Sequence, residues 1–586
     1  MDKKTIIAIV ISALLFIGYF AISGLLAPKQ PAEPASSPQA SAAPAKEKPA
    51  EIVPVVKAVP LAKEIKEETV TLHSKIFTVA FSNKGGVATS ILLNDPAKDP
   101  NNSSTEGDIE MVFASRANAP ENAKASDEYP FELRFGDYQA PAAKDLFAVA
   151  QSDGKVEFSR EYEMTVLAKN EKGEEKETVK RVLVKKTFTL DDDRYLIKMG
   201  VGLESEAKEA IPFNFNGVMY TLGIGPQIGP EFPDVKPDGR SDYRSFVILA
   251  NSGRKEFGMP PPAEPFTDSF SWASITGKYY ALIASTDATI KDLMLTSREV
   301  NVPFLQTAMY FERKREVTQA LTDEYTFFVG PKKRDVLDSY KDMKYGELAP
   351  ISIFGYIAEV LKYPLDFFAR VGNYGVAIIL LTLLIKILLF PLTRKSYDSM
   401  KKLQSVNPKL QEIRAKYKDN PKRMNEEMAA LYKREGISPL GGCLPQLLQL
   451  PILFGLYELF NTHFALKGAV FIPGWINDLS VPDSILKLPF TIGPILGFVL
   501  SDIRLLPIIM LLTQLASTFV TQGKSPSADN KMKYLPYIMM ALFFFILYNL
   551  PSGLVLYWTV QNILTVLQML IQKFFSDRKE RALAAG

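Results

Sequence analysis

Nearly all the long apolar runs of this 586-residue chain lie in two places, residues 1–27 and 372–572, and the stretch between them reads as soluble. Some twenty consecutive apolar residues are enough to cross a bilayer. The chain must therefore build a membrane protein with a large water-exposed domain between its first span and the others. Within the second region the run Gly375–Leu392, GVAIILLTLLIKILLFPL, carries a single charge, Lys386. A cation at mid-span costs about 2.5–3.5 kcal/mol on insertion scales. Lys386 is thus expected to face a wet cavity or a polar partner.

Composition excludes several function classes. A net charge of +3 is too small to make nucleic acid the main partner. One cysteine, Cys443, rules out an intrachain disulfide framework, and two histidines, His73 and His463, argue against a Cys/His metal site. Gly523-Lys524-Ser525 has Thr518 where a phosphate-binding loop needs its first glycine. Nothing calls for a cofactor or for an enzyme's catalytic set.

Residues 1–27 have a charged start (Asp2, Lys3, Lys4) and then an apolar run from Thr5 to Leu26. That run exceeds the core of a secretory signal, and Leu25-Leu26-Ala27 is a poor cleavage site, which favours an uncleaved anchor over a cleaved or lipoprotein-type signal. Lys3 and Lys4 put its N-terminus in the cytoplasm. Residues 28–66, rich in Pro, Ala, Lys and Glu, form a disordered tether. From 67 to 345 the pattern is strand-like: Tyr195, Ile197, Met199, Val201 and Leu203 alternate, and Val182, Val184, Phe188 and Leu190 belong to a neighbouring strand. One large periplasmic all-β sandwich is expected. A scaffold role, or passive binding of a peptide or glycan, fits it better than sugar catalysis. In residues 346–371, Phe354, Ile357, Leu361, Leu365 and Phe368 recur at helical spacing. This is an amphipathic helix, either flat on the outer membrane interface or packed on the soluble domain.

Five further spans are read near 373–392, 443–461, 505–522, 534–549 and 553–572. Arg394–Gly442 carries twelve Lys/Arg and the loop Thr462–Arg504 only three, so the first is cytoplasmic and the second outside. The basic tail 574–586 is inside, which gives six spans in all with both ends cytoplasmic. Apolar residues 488–500 contain Pro489, Gly493, Pro494 and Gly497 and read as an interfacial or re-entrant piece. Residues 394–442 form a cytoplasmic helical hairpin. Leu403, Leu410, Ile413 and Tyr417 make one stripe, Met424, Met428 and Leu431 another, and Asn420-Pro421 starts the second helix. Its basic face either meets lipid, ribosome or substrate or is merely solvated.

Polar residues recur within the spans. Thr382 and Lys386 share a face, Gln446 and Gln449 lie three apart, Gln514 sits in the span 505–522, the fourth of the six, and Gln561, Thr565 and Gln568 line one face of the last. An unpaired amide in hydrocarbon is unfavourable, so these groups are expected to converge. Two plainer readings stay open: amides that only join helix to helix, or Lys386 snorkelling toward Arg394, about 12 Å away by helix rise. No acidic partner for Lys386 is evident, which argues against an ion-coupled transporter.

Several segments resemble the YidC membrane insertases. These are LLIKILLFPLT (383–393), NPKLQEIRAKYKDNP (407–421), ISPLGGCLPQLLQLPILFGLYELF (437–460), PSGLVLYWTVQN (551–562) and FFVGPKKRDVL (327–337). The resemblance implies a groove open to cytoplasm and lipid and closed outside, with one cation on its floor, commonly arginine. Here that residue is Lys386, which keeps the charge and loses the bidentate fork. It implies that Thr382 is a groove neighbour, that Tyr557-Trp558 contacts substrate, and that the periplasmic domain is a β-supersandwich resembling sugar-binding proteins. Expected partners are nascent membrane proteins, the lipid bilayer, Sec translocon components and the ribosome. The expected function is insertion of membrane proteins, alone or with the Sec translocon. The alternatives are a polytopic transporter or channel, or a folding chaperone without insertase activity.

Overall fold

The computed structural model describes residues 56–60, 65–94, 109–112, 128–169, 175–206, 209–225, 244–299, 305–436, 444–495, 498–522 and 530–584. The anchor expected at 1–27 and the tether up to residue 55 lie outside them. Two compact units divide between Pro350 and Ile351.

The first unit is β-rich. A ten-stranded antiparallel sheet runs in the order Val56–Ala58, Lys155–Lys169, Glu175–Leu190, Leu196–Ser205, Ala320–Pro331, Tyr280–Thr286, Phe270–Thr276, Ser245–Ala250 and Gly253–Phe257, with Ala148–Ser152 pairing off that path. Its edge strand Val56–Ala58 pairs with 162–164, so these three residues, expected within the tether, are ordered by main-chain pairing. Two four-stranded sheets pack on the large one. One comprises Thr69–His73, Phe77–Ser82, Val87–Leu93 and Ile109–Glu110; the other comprises Ile290–Glu299, Leu305–Lys314, Val218–Ile224 and Glu132–Arg134. Rings join the layers: Phe81 lies 4.5 Å from Phe188, and Phe311 lies 6.4 Å from Tyr325. The period-two pattern holds, with Ile197, Met199, Val201 and Leu203 all buried. The same phase in the preceding strand puts a charge inside, because Val182, Val184, Lys186 and Phe188 are all fully buried. Lys186 Nζ donates to the carbonyls of Gly85 (2.8 Å) and Phe131 (2.6 Å). Gly86, at φ 57°, could not carry a side chain without crowding Phe158, 3.1 Å from where its Cβ would stand. A short helix, α1 (Arg334–Asp338), follows the last strand.

The second unit is helical. Helix α2 (Ile353–Ala369) begins at Ser352, whose hydroxyl accepts from Gly355 N. Its expected apolar stripe packs on the other helices of this unit: Leu365 is fully buried, and Phe354 stacks 4.9 Å from Phe454. The helix is therefore not the last element of the β-rich unit. A second apolar row, Ile353, Tyr356, Val360, Tyr363 and Phe367, is exposed on its other side. Helix α3 (Tyr374–Leu388) is capped by the Asn373 side chain. The run expected as one straight span bends by 59° before α4 (Phe390–Ser405). Pro391 explains the break, since it has no N–H and its ring crowds the preceding turn.

Helices α5 (Asn407–Lys416) and α6 (Pro421–Arg434) pair as a hairpin shorter than the expected 394–442, and Leu403, expected in its first stripe, lies on α4 instead. Helix α7 is Leu444–Thr462, α8 Leu505–Gln522, α9 Asn530–Tyr548 and α10 Ser552–Ala584. Helix α10 continues unbroken through the segment expected as a separate tail. Among the described residues Ser552–Gln572 alone is long and apolar enough to cross a membrane, or two spans if the bent α3–α4 pair counts as one. Segment 486–503 forms a two-stranded hairpin, Leu486–Ile495 with Phe498–Ile503, consistent with the prolines and glycines that deny it a helix.

Candidate functional site

Lys386 lies in the last turn of α3 and is 9% exposed. Its ammonium donates to Thr565 Oγ1 on α10 at 2.7 Å. The Thr565 hydroxyl in turn donates to Gln561 O, one turn back, at 2.7 Å. Gln561 Nε2 reaches Gln449 Oε1 on α7 at 3.5 Å, a long contact. Three helices thus meet at one polar ladder. An ammonium has three donors, and among the described residues Thr565 is the partner Lys386 has, with no carboxylate beside it.

Two further bonds tie α10 to α8. Trp558 Nε1 donates to Gln514 Oε1 at 3.1 Å, and Asn562 Nδ2 to Thr513 Oγ1 at 3.3 Å. Trp558 also lies 5.3 Å from the Phe543 ring of α9. Farther along α10, Gln568 Nε2 donates to Thr393 Oγ1 of α4 at 3.0 Å. Most of the polar residues read from the sequence do converge, with α10 as their common element. Thr382 does not join them: it is fully buried, and its hydroxyl donates to Ile378 O in its own helix. Tyr557 is also fully buried, facing the bundle. Gln446 lies on α7, and its side chain is outside the described residues. The sequence reading missed Thr513, Asn562 and Thr393. Asn562 shared α10 with Gln561, and its helical spacing from Trp558 was the available signal.

The opposite end of the bundle is cross-bonded. Asp483, buried, accepts at one carboxylate oxygen from Leu505 N, Leu506 N and Trp475 Nε1, each at 3.0 Å. It thereby caps the start of α8 from a distant loop. Arg504 donates to Tyr548 O at 2.8 Å and to Asn549 Oδ1, with its guanidinium 5.2 Å over the Tyr548 ring. Ser552 N and Gly553 N, at the start of α10, donate to Val481 O and Leu479 O. His463 and Asp366 pair at 2.7 Å, linking α2 to the end of α7. Burial pushes the Asp366 carboxyl up, but the His463 bond and charge, with Lys362 and the Tyr374 hydroxyl, together outweigh it and hold the group below its ordinary value. Phe471 of the loop packs against Gly375, where a Cβ would overlap its ring.

The sequence of residues 367–579 matches the 60Kd inner membrane protein family. A membrane protein insertase YidC of Treponema denticola is 34% identical over 97% of this chain and 99% of its own. The chain belongs to the YidC family. A YidC of Treponema pallidum is 30% identical over 88% of this chain and 86% of its own. A solved YidC insertase with its first transmembrane domain resolved covers 89% of this chain at 19% identity, with a TM-score of 0.32, too low to add to the sequence match. As a YidC relative this is an inner-membrane protein with a large β-rich N-terminal domain and a helical C-terminal region. The stretch matched to the 60Kd family contains every polar residue of the ladder. It also contains the α5–α6 hairpin, where Leu410, Met428 and Leu431 are buried together and Met424 packs beside them. Tyr417, at the turn of this YidC hairpin, lies under the guanidinium of Arg423 at 5.5 Å.

Proposed function

We propose that this chain inserts membrane proteins into the bilayer without nucleotide hydrolysis. The observation that carries the reading is the Lys386 ammonium, which among the described residues has one hydroxyl partner for its three N–H donors. On this reading the polar faces of α3, α7, α8 and α10 line a wet groove, open to the cytoplasm and lipid and closed at the cross-bonded end. A cation in surroundings of low dielectric attracts acidic residues strongly. The groove lowers the cost of drawing a hydrophilic tail partway into the membrane, and the substrate's apolar span then leaves sideways into lipid along α3 and α10, driven by burial. Six spans with both termini cytoplasmic, a periplasmic β-rich domain of supersandwich type, and α2 lying at the outer interface with its exposed row in lipid complete the arrangement. Nascent membrane proteins and the bilayer are its partners, with Sec translocon components and the ribosome beside them. The test is reconstitution of the purified chain in vesicles with a short-tailed single-span substrate. Protection of the tail from added protease is expected with the protein and not without it; equal protection in empty vesicles would overturn the reading.

A further inference from the structure

The Lys386 ammonium has two places to go. Lys386 stands in the last turn of α3, just before the 59° break, where the final helix carbonyls attract cations. Its long apolar stem would also let the charge swing toward the cytoplasmic water. Instead the ammonium is drawn across to α10, onto Thr565. That hydroxyl is suited to the task. Its proton is spent on Gln561 O, so its lone pairs are left to accept, and that bond selects one of the χ1 rotamers open to a helical hydroxyl.

We propose that Thr565 is the positioning residue for Lys386, fixing the level at which the positive charge meets a substrate carboxylate. The proposal rests on the insertase reading and deepens it: the protein selects acidic side chains that stand at a set distance from the substrate's apolar span. Lysine makes this necessary, because a compact ammonium on a flexible stem lacks the directional fork with which arginine would fix its own geometry.

The experiment scans one glutamate along the tail of an otherwise uncharged substrate. A zero-length carbodiimide joins the glutamate to Lys386 in vesicles containing the full chain, and Lys386→Met identifies the adduct by its loss. Wild type is expected to give a maximum at one or two adjacent tail positions. Thr565→Val should move that maximum toward the cytoplasmic end, or flatten it until it no longer stands above its neighbours, since loss of a hydrogen bond to a charged group depopulates the held position by more than about tenfold. Thr565→Ser should restore it. A merely structural role would lower all yields together and leave the position of the maximum alone. An unchanged profile in Thr565→Val, or a Ser variant that behaves like Val, would overturn the proposal. Protease protection is read on the same samples. A profile that shifts with Thr565→Val while no tail becomes protected counts against insertion and supports the positioning.

Discussion

Lys186 and Lys386 are both withdrawn from water, and they solve the problem differently. Lys186 sits at an inward position of its strand, with two carbonyls in reach. A neutral amine has two N–H donors, so the uncharged form satisfies both. Burial, only partly offset by Glu132, brings its pKa down to about 7. An unfolded lysine titrates near 10.4. Between those values the unfolded chain holds a proton that the folded chain has shed, so this group makes stability rise with pH from about 7 to about 10 and leaves it flat below 7. The slope is at most about 1.4 kcal/mol per pH unit. The urea midpoint for loss of protease resistance in the β-rich unit should therefore rise between pH 7 and 9 in the wild type, and rise less in Lys186→Met. An equal rise in both would mean that Lys186 stays charged. Lys386, by contrast, has among the described residues a single hydroxyl partner, Thr565, for its three donors.

At the scale of elements, the α5–α6 hairpin has its own small core of Leu410, Met428 and Leu431, and an ion pair, Lys409 to Glu435 at 3.0 Å, across its open end. It needs little from the spans to hold its shape. Removing Lys401–Gly436 should abolish substrate capture while the remaining helices stay folded. Photocrosslinks from a nascent chain should appear at Met424 before they appear at Trp558; the reverse order, or full insertion by the deletion, would reduce the hairpin to a connector. This element was legible because its stripes, its Asn420 cap and Pro421 are local signals: the Asn420 side chain does accept from Arg423 N. The polar ladder was legible as a set of residue types at helical spacing, but not as pairs, since Lys386 to Thr565 spans 179 residues. Thr382 misled because a threonine can satisfy itself on its own helix. The Asp483 cap and the Arg504 clasp were invisible for a similar reason: they depend on a loop returning to a helix start, which no periodicity records. Lys186 could have been found, as the one charge in the inward phase of Val182, Val184 and Phe188.

At the scale of the whole molecule, the polar ladder lies wholly in the helical unit, and the β-rich unit has its own hydrophobic core. Deleting most of residues 67–340, with the anchor and residues 345–586 kept, should leave insertion largely working in cells that depend on this chain. Complete loss in a stably expressed deletion would refute that division of labour. On the proposed function, the sign of one charge in the membrane draws in the substrate. The direct measurement is protease protection of an acidic tail in vesicles containing Lys386→Glu, beside wild type and Lys386→Arg. A carboxylate in place of the ammonium reverses an attraction that low dielectric makes strong. Lys386→Arg should retain protection, and Lys386→Glu should lose it for acidic tails. Normal protection of an acidic tail by Lys386→Glu would contradict the proposed function.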